Sequence, residues 1–210
     1  MLIPMPEEFA SLPAEFTPLS GRKAQAARND ELILDAARAV FIADPNAPIA
    51  SVAERAGVGI SALYRRYAGK EALLRKLCAD GLRQYNSLAA AALADERDPW
   101  EAFAGWMRDI VEADTHSLTL RLAGTFTPTD ELYGETSRAD ELNQRLLARA
   151  RQANVIRQDL EVGDIALIFE QVAAIRFGND ERTAQLRRRA LGLHLDALRH
   201  PTPARLPGPA

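Results

Sequence analysis

Cysteine is almost missing from this chain, with Cys78 alone among 210 residues. An internal disulfide is therefore excluded, and His116, His194 and His200 are too few and too scattered for a structural zinc set. The pairs Glu112–His116 and Asp196–His200 are each spaced four apart but bring no further ligand, so they read as solvated helix surface, with no metal site expected. Cys78 reads as a small packed residue on a long helix rather than a redox sensor. Long apolar runs are lacking too. None approaches the ~20 residues of a membrane span, and no basic-then-apolar secretory leader opens the sequence, so a cytoplasmic protein is expected. There is no phosphate loop, nucleotide fingerprint or nucleophile elbow, and no catalytic residue, enzyme activity or cofactor is expected. No internal repeat or low-complexity block appears.

What is present is the balance of an ordinary globular protein, 47% hydrophobic and 26% charged, in a chain long enough to bury a substantial core. The net charge of −3 conceals an asymmetry. Ser20 to Lys76 holds ten Lys/Arg against six Asp/Glu, a local +4, which leaves −7 for the remainder. Such a division is expected when one module meets phosphate and the rest does not.

The most informative stretch is Ile49 to Leu74. Val52, Ala53 and Ala56 recur at helical spacing, and Gly57 follows where a glycine can take the left-handed conformation that ends a helix. Val58 plugs the corner, Gly59 is a second permissive joint, and Ile60 to Tyr67 is helical again. Leu63 and Tyr67 share one face, with Ser61, Ala62, Tyr64 and Arg65 largely on the other. Two short helices joined by a glycine-bearing turn make a helix-turn-helix. Small residues at the start of the second helix allow close approach to DNA. Tyr64, Arg65 and Arg66 can donate to phosphates or base edges in the major groove. Gly69-Lys70-Glu71 opens a long helix whose first turn offers free N–H groups and a positive dipole end, a phosphate seat that Lys70 would strengthen. Arg28 and the basic Gly21-Arg22-Lys23 approach are further phosphate candidates.

Val52-Ala53, Ala56-Gly57-Val58, Leu63-Tyr64, Lys70 and Leu73 fall in register on a family pattern, and on these residues the chain resembles the TetR family of bacterial transcriptional regulators. It departs from that pattern at Ala62, where threonine is usual, at Arg66, where histidine is common, and at Tyr67, where phenylalanine is common. Gly59 replaces a frequent capping serine, which leaves Ser61 as the expected helper. The resemblance implies that Tyr64 lies at the DNA backbone, that the long fourth helix transmits state between two modules, and that the second module binds a small inducer.

The remaining order is all-α. Residues 1–21, with four prolines, read as a disordered arm, residues 22–72 as the DNA-binding domain, residues 73–200 as a helical regulatory and dimerisation domain, and residues 201–210 as a disordered tail. The boundary falls inside the fourth helix, so motion of one module must move the other. Asn29 or Asp30 is expected to cap the first helix, which runs to about Ala43. The long fourth helix runs from Lys70 to about Ala94, and Asp98 with Pro99 opens the fifth, to about Thr115. A short sixth is expected from Leu118 to Phe126, a seventh from Asp130 to about Ala153, an eighth from Val162 to Phe177 and a ninth from Asp180 to Arg199.

Phe103, Trp106, Met107, Ile110, Leu118, Leu122, Phe126 and Phe169 can line an apolar effector cavity, or can simply be core. The last helix carries two apolar stripes. Leu186, Ala190, Leu193 and Ala197 form one, and Leu191, Leu195 and Leu198 the other. One stripe can face the subunit's own core and the other a two-fold copy, with Ile165, Phe169 and Val172 adding to the dimer interface. The function expected is a homodimeric repressor that binds a palindromic operator in double-stranded DNA and is released by a small, largely apolar effector, with no membrane partner. The competing reading is a helical protein-interaction module that no longer binds DNA.

Overall fold

The computed structural model describes residues 21–115, 122, 124–199 and 206. Among these residues there are eight helices, α1 (Gly21–Ala43), α2 (Ile49–Ala56), α3 (Ile60–Arg66), α4 (Lys70–Ala94), α5 (Pro99–Ala113), α6 (Asp130–Gln152), α7 (Val162–Ala174) and α8 (Asp180–Leu198). A single antiparallel bridge pairs Ile156 with Arg199. The all-α expectation holds, and the bounds of α4 are those read from the sequence.

Local chemistry sets most helix ends. Gly57 closes α2 at φ 66 and ψ 27, with its N–H on Glu54 O at 3.1 Å and the Val58 N–H on Ala53 O at 3.1 Å. This pair of bonds satisfies carbonyls that the helix end would leave open. Asp98 caps α5, its carboxylate accepting from the backbone N–H of Trp100 at 3.0 Å and Glu101 at 3.2 Å, with Pro99 in the first helical position. Thr129 and Asn179 cap α6 and α8 in the same way.

Four expectations are corrected. α1 starts at Gly21, eight residues before Asn29, because Lys23-Ala24-Gln25-Ala26-Ala27-Arg28 is a run of strong helix formers with Gln25 hydrogen-bonded to both Arg28 and Asn29. Asn29 and Asp30 are thus mid-helix and cap nothing. α3 has no side-chain cap, so Ser61 does not supply one. α7 stops at Ala174, three residues before Phe177, where Arg187 takes the carbonyls of Ala173 and Ile175. Phe126 is not helical, the chain having turned at Gly124, φ 77. Of the rest of the expected sixth helix, Leu122 is helical and Thr125 follows the turn, while residues 118–121 and 123 lie outside the described residues.

Two cores share α4. The first joins Ile33, Ala37 and Phe41 of α1, Val52 of α2, Leu63 of α3 and Leu73, Leu74 and Leu77 of α4. The second gathers Tyr85 and Ala89 of α4 around Phe103, Trp106 and Ile110 of α5, with Leu142 and Leu146 of α6, Phe169 of α7 and Leu195 of α8. Because one helix contributes to both cores, a tilt imposed at one end moves the other. Cys78 is buried in the first core, and burial pushes its thiol up to about 11, in keeping with a packing residue.

Candidate nucleic-acid interface

α3 is only seven residues long and must take its orientation from tertiary anchors, since a helix of that length is not stable alone. Leu63 and Tyr67 bury themselves in the first core, which turns Ser61, Tyr64 and Arg65 outward, while Ala62 is partly covered. Tyr64 is 52% exposed. Arg28 is exposed on α1, its guanidinium donating to Gln25 Oε1 at 3.0 Å. Side chains at Arg22 and Lys23 lie outside the described residues.

Two expected contacts are engaged inside the protein. Arg66 grips Asp30 of α1 with both arms of its fork, Nε–H to Oδ1 at 2.9 Å and Nη2 to Oδ2 at 2.8 Å, and the Tyr67 hydroxyl donates to the same Oδ1 at 2.5 Å. The hydrogen bond from Arg66 holds the Asp30 carboxyl below its ordinary value, and burial, with the bond to Asp30, pushes the Tyr67 phenol up. Lys70 folds back to the α1–α2 loop, where Nζ donates to Pro45 O at 2.7 Å and Ala47 O at 2.9 Å and lies 5.1 Å from the centre of the Phe41 ring. Two of its three N–H donors are thus spent on carbonyls. Glu71 occupies the first turn of α4, so the seat expected there also carries a carboxylate.

The expected cavity residues are divided between the cores. Phe103, Trp106, Met107, Ile110 and Phe169 are buried together, with edge-to-face contacts from Trp106 to Phe169 at 5.7 Å and from Tyr85 to Trp106 at 6.2 Å. Beside them, the space among Ile110, Phe169, Val172 and Arg187 is about 10 Å³, too small for an effector. Leu122 and Phe126 pack instead on the first core, and Leu118 lies outside the described residues. Among the described residues, Phe103, Trp106, Met107, Ile110 and Phe169 are therefore packed core. The Trp106 Nε1–H and the Asn86 Oδ1 are buried without a protein hydrogen-bond partner.

The expected dimer residues also separate. Ile165, Phe169 and Val172 are buried in the subunit's own core. Leu191, Leu195 and Leu198 are the core stripe of α8, while Leu186 and Ala190 are half-buried, Ala197 is exposed and Leu193 is 65% exposed. Sequence reasoning missed Leu167, 50% exposed on α7, and Phe177, 68% exposed just beyond it. The signal was present, since α7 is apolar around most of its circumference and one side had to remain uncovered.

The segment after Leu122 fastens the second module to the first. Leu122 and Leu132 are buried in the first core, Arg75 Nε donates to Thr127 O at 3.0 Å, the Thr127 N–H donates to Glu71 Oε1 at 3.2 Å, and Arg83 pairs with Glu131.

Residues 33–77 match the model of bacterial regulatory proteins of the tetR family, and residues 98–200 match the C-terminal domain of SbtR-like transcriptional regulators. The chain belongs to the TetR family of bacterial transcriptional regulators. It is a DNA-binding regulator with an N-terminal helix-turn-helix and a C-terminal ligand-binding domain of the TetR type. Among solved structures, a TetR transcription regulatory protein from Mycobacterium vanbaalenii is 28% identical, with 85% of this chain and 99% of that one covered at a TM-score of 0.58. The TetR regulator SCO0520 from Streptomyces coelicolor is 27% identical, with coverage of 80% and 97% and a TM-score of 0.57. The TetR-like regulator LfrR from Mycobacterium smegmatis, solved with proflavine, shares the fold at 19% identity, 80% and 96% coverage and a TM-score of 0.53. No curated protein matches the chain. Among the described residues, no helix is long and apolar enough to cross a membrane, and no three His, Cys, Asp or Glu side chains cluster as a metal site.

Proposed function

We propose that this TetR-family protein is a cytoplasmic homodimeric repressor, that it reads a palindromic operator through α3, and that a small, largely apolar effector releases it. The observation carrying this reading is the division of α3 into a buried Leu63–Tyr67 side and an exposed Ser61–Tyr64–Arg65 side. Ser61, Ala62, Tyr64 and Arg65 meet the major groove, and Arg28 meets the backbone. A two-fold copy places the second α3 about 34 Å away, one turn along the duplex. The exposed side of α7 and α8, with Leu167, Leu193 and the small Ala190 and Ala197 nearby, is the face that copy covers.

The effector acts by opening the second core. The described part of this core is closely packed, so an effector that enters it favours a state in which α5, α6 and α7 have moved apart, and this differential affinity is what lets it act. Trp106 Nε1 and Asn86 Oδ1 supply the polar handles in that opened space. Movement there reaches the DNA module through α4 and through the Glu71–Thr127 and Arg83–Glu131 links. LfrR with proflavine is one TetR-like fold seen holding a small molecule.

Sedimentation of the purified protein with and without Leu193→Glu tests the dimer. The wild type is expected at twice the chain mass, and the variant, whose charge lies on a surface exposed in the single subunit, is expected as a folded monomer. A wild type that sediments as a monomer at micromolar concentration and binds DNA with one-to-one stoichiometry would remove the palindrome from the account.

A further inference from the structure

The clamp at Asp30 joins three side chains that a DNA-binding reading alone would treat separately. Arg66 is the last residue of α3 and Tyr67 follows it, so the clamp holds the trailing end of that helix, while Leu63 holds its middle. Asp30 stands mid-way along α1 with only 16% of its side chain exposed, and three donors converge on its two oxygens. A bidentate guanidinium–carboxylate pair fixes orientation as well as distance. Arg66 and Tyr67 are also the two positions where this chain departs from the common histidine and phenylalanine. Both departures serve the same carboxylate. A phenylalanine would fill the Tyr67 site equally well but could not donate to Asp30.

We propose that Asp30 is a positioning residue for DNA recognition, which sets the angle of α3 through Arg66 and Tyr67, and that Arg66 acts on Asp30 rather than on a DNA phosphate. This rests on the reading of α3 as the groove-facing helix. The carboxylate reaches no base itself. It holds the helix so that Ser61, Tyr64 and Arg65 enter the groove together, and without it the helix end swings and the specific contacts are lost while general attraction to phosphate remains.

The test measures dissociation constants for a selected operator and for an unrelated duplex, across a range of potassium chloride, with Asp30→Asn, Arg66→Ala, their double variant and Tyr67→Phe. The clamp predicts that Asp30→Asn and Arg66→Ala each weaken operator binding about 10-fold, that the double variant is no worse than either, and that the salt slope and the affinity for the unrelated duplex stay unchanged. Tyr67→Phe, which keeps the packed ring, weakens operator binding several-fold. Simple loss of fold would instead lower the fraction of protein that binds at saturation and leave the constant of the remainder unaltered. A lower salt slope in Arg66→Ala, together with unchanged or tighter binding in Asp30→Asn, overturns the clamp and makes Arg66 a phosphate contact. A wild type that selects no operator overturns the DNA-recognition reading itself, which separates the two failures.

Discussion

Replacing Lys70 with methionine keeps an apolar stem beside Phe41 and removes the ammonium. In the folded protein that ammonium donates to two carbonyls of the α1–α2 loop, Pro45 O and Ala47 O, at 2.7 and 2.9 Å, and Ala47 is buried. A hydrogen bond from a charged donor contributes ~1.5–3 kcal/mol where it is well shielded, and the partial exposure of Lys70 brings each of these to about 1 kcal/mol. The cation over the Phe41 ring adds ~0.5 kcal/mol. Lys70→Met is therefore expected to cost about 2–3 kcal/mol, a fall in melting temperature of about 5–10 °C for a chain of this size. Thermal unfolding followed by far-ultraviolet circular dichroism measures this directly, and operator affinity measured well below the melt is expected to change little. If instead the melt moved by less than ~1 °C while affinity fell and the salt slope dropped by about one, Lys70 would be reaching a phosphate and its place in the loop would carry no weight.

Three other perturbations separate the structural devices. Arg187, 7% exposed, pairs with the part-exposed Asp114 at 2.9 Å and donates to the carbonyls of Ala173 and Ile175, so Arg187→Met leaves two helix-end carbonyls without their donor and is expected to destabilise by ~2–3 kcal/mol in urea titration. Asp98→Ala removes the α5 cap and is expected to cost ~1 kcal/mol in the same assay without altering operator preference. Asp30 has a folded value below its ordinary 3.8, so its contribution is complete above that value and is lost as pH falls through the folded one. The stability difference between wild type and Asp30→Asn should thus stay constant between about pH 8 and 5 and shrink only under acid. A difference that grew on acidification would contradict the ion pair.

Short-range chemistry was legible in the sequence. Gly57 as the stop of α2, the buried Leu63–Tyr67 side of α3, the extent of α4 and the Asp98–Pro99 start of α5 all depend on residues within a turn of one another, and each stands where the pattern put it. Charged groups acting across the fold were not legible. Asp30 has the chemistry of a cap, and nothing near it in sequence announces that Arg66 and Tyr67 take its oxygens. Lys70 stands at a helix start where phosphate is a natural partner, yet two loop carbonyls reach it first. Arg149 closes the end of α4 from α6 in a similar way, donating to Ala92 O and Leu93 O at 3.0 and 3.1 Å. Apolar residues showed the opposite ambiguity. Ile165, Phe169 and Val172 are apolar enough for either a core or an interface, and only the packing of α7 against α5 and α8 decides for the core.

The central claim, paired recognition helices on a symmetric site, is tested most directly by selecting duplexes from a random pool with the purified protein at physiological salt. The account predicts a palindromic consensus whose half-sites are centred about one helical turn apart, with base preferences that change in Ser61→Ala and Arg65→Ala. Enrichment of no sequence, or of a single unrepeated half-site, would contradict it.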